Sequence, residues 1–247
     1  MYTMPPAIIE TAHIPSGSPC DAQFASIPTP VVGSITVETG LIRDLYPLPV
    51  GFVYLDEAIP GMLWDAKYAT TDNFTGKIVD GYEANRIALT RQVANGLITA
   101  QALAREEGLQ LLVWDAARPQ RAVDCFVRWS EAPEDGLTRT RHYPNLDKSQ
   151  LFGEYIARRS GHSRGCAVDL TLVDETGVPL DMGGDFDLMD ARSHHGARDV
   201  GKRQAANRKL LRRIMLDAGF DDYESEWWHY TVKDEPFPDQ YFDFVIG

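Results

Sequence analysis

The sequence predicts an α+β fold: a single domain in which helices flank a central antiparallel sheet, with the candidate site on that sheet. Three observations predict it. Two long stretches carry apolar residues at helical spacing, Glu83 to Glu107 and Gly201 to Ala218, and each is closed by a glycine, Gly108 and Gly219. Three short runs rich in β-forming residues surround them: Leu111-Leu-Val-Trp114, Ala167-Val-Asp-Leu-Thr-Leu172 and Trp227-Trp-His-Tyr-Thr-Val232. The strands after residue 160 read as neighbours in an antiparallel sheet, which favours α+β over alternating βαβ units.

In chain order, residues 1–50 read as an irregular N-terminal extension. Pro5, Pro6, Pro15, Pro19, Pro28, Pro30, Pro47 and Pro49 punctuate it, and pieces such as Val31-Val32 and Ile35-Thr-Val37 allow at most one strand. Residues 51–247 form the domain proper. Its first helix is expected from Glu83 to Glu107, with Ile87, Ala88, Val93, Leu97, Ile98, Ala102 and Leu103 on the apolar face. Leu111 to Trp114 is a short buried strand ended by Asp115-Ala-Ala-Arg118-Pro119, and Pro119 suits the first turn of a helix running to about Glu131. A strand from Ala167, a helix from Gly201 and a strand near Glu226 complete the order.

Composition narrows the class. A chain of 247 residues with 44% apolar content buries one good core, and its net charge of -12 argues against nucleic acid as a partner. Residues 192 to 213 are a local basic exception, Arg192, Arg198, Lys202, Arg203, Arg208, Lys209, Arg212 and Arg213 against Asp199, and read as a solvated helix face. No basic residue precedes Arg43 and no apolar run suits a leader or a membrane span, so a cytoplasmic location without a membrane partner is expected. Three cysteines, Cys20, Cys125 and Cys166, form no close pair and fit a reducing compartment.

Two segments carry the chemistry: Ser160-Gly-His162-Ser-Arg-Gly-Cys-Ala-Val-Asp169 and Glu226-Trp-Trp-His229. A catalytic zinc takes three protein ligands and keeps one position open for water, and His162, Asp169 and His229 supply a two-His, one-carboxylate set. His162 and Asp169 flank Gly165, which permits a sharp turn, so one ligand precedes a bend and the other enters a strand. Glu226 is left over as a base for a metal-bound water, and the predicted chemistry is hydrolysis of a peptide-type bond. A lone His or Asp here would more simply be structural; the combination is what points to a metal. The helix with two His four apart around a Glu is absent. Cys166 lies between two ligands but reads as part of a small buried stretch. Arg118, at the end of a buried strand, sits where a rigid donor to an oxyanion is wanted, although most Arg residues are surface ion-pair partners.

With Asp115-Ala-Ala-Arg118-Pro119, Ser160-x-His162-x-x-Gly165-x-Ala167-x-Asp169 and Glu226-x-Trp228-His229 in hand, the chain resembles the zinc D-alanyl-D-alanine dipeptidases of the vancomycin-resistance type, peptidase family M15. Trp64-Asp-Ala-Lys-Tyr-Ala-Thr, Asp72-Asn-Phe-Thr-Gly-Lys, Asp80-Gly-Tyr-Glu, Arg121-Ala-Val, Phe186-Asp187, Ser193-His-His195 and Tyr241-Phe-Asp-Phe244 extend the likeness over about residues 51 to 246. The resemblance implies one Zn2+ per chain on His162, Asp169 and His229, Glu226 as general acid/base, Arg118 stabilising the transition state, and Ser160, Tyr68 and Asp187 lining the substrate pocket. It implies cleavage of the small dipeptide D-alanyl-D-alanine, in cell-wall metabolism or glycopeptide resistance, by an enzyme of a class expected to form homodimers. His194-His195 reads as structural or as holding a carboxylate in place. Two positions depart from the pattern. Ala116-Ala117 stands where Gly-Tyr is expected, and Gly184 where Ser or Thr is usual after Met182-Gly183. Alternatives are a related zinc peptidase cutting a longer murein peptide such as an L-Ala-D-Glu link, and a hedgehog-like zinc binding module. Retention of both Glu226 and Arg118 speaks against the binding module, and a metal-free structural protein leaves four convergent polar residues unexplained.

Overall fold

The computed structural model describes residues 46–247. Most of the predicted extension, residues 1–45, and Cys20 with it, lies outside the described residues. Strand β1 (Phe52–Tyr54) runs into a short helix, α1 (Leu55–Ala58), and then the two-residue strand β2 (Leu63–Trp64). Strand β3 (Ala88–Thr90) pairs antiparallel with β1 and leads directly into helix α2 (Arg91–Glu106). The expected helix therefore starts eight residues later than Glu83. The apolar run Ile87-Ala-Leu89 is buried, with Ala88–Thr90 paired as a strand, and Thr90 marks the true start, its Oγ1 accepting from the Val93 N–H at 3.4 Å.

The rest follows the predicted order: strand β4 (Gln110–Asp115), helix α3 (Gln120–Glu131) after Pro119, a helical turn α4 (Arg139–His142), strand β5 (Ala167–Val173), helix α5 (Lys202–Asp217), and strands β6 (Phe220–Tyr223) and β7 (Glu226–Val232). One mixed sheet of order β2-β4-β5-β7-β6 gathers the later strands. Its β4–β5, β5–β7 and β7–β6 pairs are antiparallel as expected, and only the edge strand β2 runs parallel, to β4. All seven residues of β5 are buried, so both faces of the sheet centre are covered. Helices α2 and α5 pack on each other and on the sheet. Helix α3 instead turns Phe126 onto Tyr68 and Phe74, which together wall the cavity described below, and packs Trp129 onto Tyr143. No described helix is long and apolar enough to cross a membrane.

The solvated-face reading of residues 192–213 holds for Lys202, Arg203, Lys209, Arg212 and Arg213, with Arg212 paired to Asp222 and Arg213 to Glu107. It fails at Arg208, which is 4% exposed.

Candidate active site

Sheet register brings the first groups together. Asp169 on β5 lies opposite Asp115 on β4 and opposite His229 on β7. Directly paired residues project from one face, so Asp115, Asp169 and His229 form a row across three strands. A register shift between Val113 and Asp115 lets β4 make that alignment. His162 arrives from a helical turn, His162–Arg164, that Gly165 ends at φ 73° before β5 begins. A Cβ at Gly165 would meet Phe52 and Thr90 at 2.7 Å, and the Thr90 hydroxyl donates to the Gly165 carbonyl at 2.7 Å. Only glycine fits both the backbone and the space.

Three atoms able to hold a metal ion then face one point. His162 Nε2 lies 3.1 Å from His229 Nδ1 and 3.3 Å from Asp169 Oδ2, and His229 Nδ1 lies 3.0 Å from Asp169 Oδ1. These spacings match the edges, roughly 3.3 Å, of a tetrahedron whose corners stand about 2.0–2.1 Å from a central ion. His162 Nδ1–H donates to the Ala116 carbonyl at 2.7 Å, so the neutral ring turns an Nε2 lone pair toward His229 and Asp169. Burial and then the Asp169 charge act in opposite directions on His162, with burial winning and lowering its pKa. Burial is the largest influence on His229 and lowers it, but the hydrogen bond to Asp169 and the charges of Asp169 and Glu226 together outweigh it and raise the value. Asp169 resists its own burial and is held well below the usual carboxylate range by His162 and His229. A set of two imidazole nitrogens and an ionised carboxylate, converging within 4.8 Å of one another, is one that a divalent metal satisfies. Among the described residues it is the one group of His, Cys, Asp and Glu so arranged.

Around these ligands stand the other predicted residues. Glu226 opens β7, its Oε2 at 3.7 Å from His229 Nδ1. Burial raises it to about 7, against the downward pull of His229. Arg118 is fixed from two sides: Nε donates to Asp115 Oδ2 at 2.9 Å and Nη2 to Asp169 Oδ2 at 3.3 Å, and its Cζ lies 4.9 Å from the Tyr68 ring centroid. Tyr68 donates from its hydroxyl to Asp187 Oδ2 at 2.9 Å. Asp187 has the one positive φ among described non-glycine residues, 57°, and its carboxyl is pushed well up by burial and then by the charge of Asp169. The Ser160 Oγ accepts from the His162 N–H at 3.2 Å. Tyr68, Arg118, Ser160, His162, Asp169, Asp187, Glu226 and His229 all line one cavity of ≈ 260 Å³.

Sequence reasoning passed over Asp115 and Tyr82. Asp115 is 1% exposed and accepts from Arg118 Nε and from the Tyr82 hydroxyl at 2.7 Å, so it holds the guanidinium in place. The available signal was an acid three residues before an Arg at a strand end. Tyr155, Tyr223 and Arg159 at the cavity lining carried no local signature. Cys166 turns away: its Sγ–H donates to the Gly161 carbonyl at 3.2 Å, and burial pushes the thiol up to about 12. His195 faces Asp222 on β6 at 3.8 Å, and His194 Nε2 lies 3.5 Å from the Tyr155 hydroxyl; neither ring reaches a carboxylate of the site.

A metal-ligand set on a sheet, with a raised carboxylate beside it and an anchored Arg above, defines a metal-dependent hydrolase site. The chain belongs to the M15 family of peptidases, described as D-ala-D-ala dipeptidase, which it matches over residues 49–246. It is 58% identical to a D-alanyl-D-alanine dipeptidase of Streptomyces coelicolor over 198 residues, 79% of this chain and 98% of that protein. A D-alanyl-D-alanine dipeptidase of Enterococcus faecium is 51% identical, with 81% of this chain and 100% of that protein covered. For one from Escherichia coli the identity is 38%, with 70% and 80% covered.

Proposed function

We propose that this chain is a zinc dipeptidase that hydrolyses D-alanyl-D-alanine to two D-alanines. The observation that carries the reading is the convergence of His162 Nε2, Asp169 and His229 Nδ1 on one point in a cavity that also holds Glu226 and Arg118. The named substrate of the relatives supplies the dipeptide. His162, Asp169 and His229 would hold the ion, which when bound supplies Lewis-acid polarisation of the scissile carbonyl and an acidified water.

The chain's own residues do the rest. Glu226, raised to about 7, takes a proton from the attacking water and returns it to the leaving amine, a cycle for which a value near working pH is best suited. Arg118 is already aimed by Asp115 and lines the cavity, which places its guanidinium as a donor for the carbonyl oxygen as negative charge develops there. Asp187 accepts from Tyr68 through Oδ2 and lines the cavity with Ser160; burial and Asp169 favour its neutral form, and the positive charge of the substrate's ammonium group beside it would draw it to the carboxylate. The cavity is below the ~300–1,000 Å³ typical of sites for larger ligands, which suits a dipeptide.

The test is release of free D-alanine by the zinc-loaded protein from D-Ala-D-Ala, beside L-Ala-L-Ala, D-Ala-D-lactate, a longer peptide with an L-Ala-D-Glu link, and a chelator control. Chelator-sensitive cleavage of the D,D-dipeptide is expected. Cleavage of the longer peptide alone would reassign the substrate, and zinc binding without any cleavage would leave a binding module.

A further inference from the structure

Helix α5 contributes a buried cation that no step above uses. Arg208 is 4% exposed, and among the described residues it has no carboxylate partner. Its donors go to main-chain carbonyls instead: Nε to Met182 at 2.6 Å, and Nη1 to Arg192 at 2.7 Å and to His194 at 3.3 Å. Burial lowers its pKa to about 10, so it stays charged at neutral pH. Burying a charge with no carboxylate in ion-pair contact is costly, and Asp199 and Asp181 act on it only from a distance. A neutral side chain would bind one carbonyl at less cost. What only the planar fork of an Arg provides is simultaneous, rigid contact with acceptors lying in different directions.

Those acceptors sit at the two ends of one segment. Met182 opens it, and Arg192 and His194 close it, so one guanidinium ties the segment 182–194 into a loop. In its middle lie Phe186, packed on Trp114 and Trp228, and Asp187 in the cavity. Asp187 holds a left-handed φ of 57°, uncommon for a non-glycine residue though one that Asp tolerates better than most, so the loop around it sets an unusual backbone at this position. Two more contacts brace the same loop: the Ser193 hydroxyl donates to the Leu188 carbonyl at 2.6 Å, and His142 Nδ1 lies 3.1 Å from the Asp187 carbonyl. Arg208 Cζ is also 5.7 Å from the ring centroid of Trp227, the residue after Glu226. One side chain thus abuts both the loop that carries Asp187 and the strand that carries Glu226.

The departure at residue 184 belongs to the same place. Arg208 Nη2 is buried without a hydrogen-bond partner, and a Cβ at Gly184 would stand 3.6 Å from it. A Ser or Thr there would bring a hydroxyl beside that donor; glycine leaves it orphaned, and Nε and Nη1 carry the whole clamp.

We infer that Arg208 is a positioning residue for substrate recognition: it fixes the segment 182–194 so that Asp187 meets the ammonium group of the dipeptide. The inference rests on the dipeptidase reading and deepens it. Its signature is selective. Loosening the loop weakens recognition of the ammonium group and leaves the metal ligands, Glu226 and Arg118 in place. The experiment compares kcat/KM for D-Ala-D-Ala with that for its desamino analogue, propanoyl-D-alanine, in the zinc-loaded full chain and in Arg208→Gln.

In Arg208→Gln the preference for the amine-bearing substrate is expected to shrink by about tenfold or more, through KM, with kcat within about threefold and zinc content unchanged. Equal losses on both substrates would make Arg208 merely structural and overturn the inference, as would an unchanged preference. Should Arg208→Gln not fold, Ser193→Ala removes a milder brace of the same loop; the preference then shrinks in the same direction or the inference falls. A wild-type chain that leaves D-Ala-D-Ala intact would instead overturn the functional reading, and the inference with it.

Discussion

Glu226 shows how much of the chemistry is set by the surroundings of one side chain. Burial raises it to about 7, His229 pulls it down and Asp169 pushes it up. A bound divalent ion adds positive charge beside it and favours the carboxylate, so the value in the loaded protein lies at or below about 7. Because the base must be deprotonated to act, kcat/KM is expected to rise with pH through that value and to fall away as acid restores the proton. Glu226→Gln keeps the shape but cannot accept a proton. Its turnover is expected to fall by at least about 10²-fold, with metal content unchanged and no acid limb in the residual rate. Metal analysis beside a pH profile checks this, and a variant that turned over normally would remove Glu226 from the reaction. Arg118 depends on its neighbours in the same way. Asp115 and Asp169 fix its Nε and Nη2, so its reach into the cavity is decided before substrate arrives.

At the scale of elements, the turn from His162 into β5 is the piece on which the proposed metal ligands hang. Gly165 reverses the chain at φ 73°, and a Cβ there would collide with Phe52 and Thr90. Gly165→Ala is therefore expected to lower stability by about 2 kcal/mol or more, from left-handed strain plus overpacking, and to weaken metal binding because His162 moves relative to Asp169. Denaturant unfolding of the metal-free protein and a metal titration measure the two effects, and an alanine variant matching wild type in both would refute the account. This turn was legible in the sequence, because ligand, glycine and ligand lie within eight residues and each has a local chemical reason. The pairing of Asp169 with His229 was not, since register between strands 60 residues apart is a property of the assembled sheet. The late start of α2 was hidden for a related reason: Ile87 and Ala88 are apolar at spacing that suits a helix, and only the pairing of Ala88–Thr90 with β1 makes a strand there. Arg208 disappeared into a run of basic residues whose other members are solvated, because charge in a sequence carries no mark of burial.

Across the whole molecule, the end of the described chain ties together loops that are distant in sequence and adjacent at the site. The Phe242 N–H donates to the Ser163 carbonyl at 2.7 Å, and its carbonyl accepts from Gln120 at 2.9 Å, so one residue joins the His162 turn to the start of α3 just after Arg118. Ile246 pairs with Tyr82, donating to the Gly81 carbonyl and accepting from Glu83, and Tyr82 in turn holds Asp115. Asp243 receives Arg121 at 2.8 Å, and the Phe242 ring meets Phe52 at 4.8 Å and Phe237 at 5.0 Å. The exposed ion pair adds little on its own, less than about 1 kcal/mol, so the main-chain links and the aromatic cluster carry the anchoring. Removing residues 241–247 withdraws all of them at once. The shortened chain is expected to unfold at clearly lower denaturant concentration, and what remains folded is expected to bind metal more weakly, because the loops bearing Arg118, Asp115 and His162 lose their common tether. Phe242→Ala separates the aromatic share from the main-chain share: it keeps both backbone links and is expected to cost about 2–4 kcal/mol, less than the deletion. A shortened chain with the midpoint and metal affinity of the full one would show that the sheet alone holds the site together.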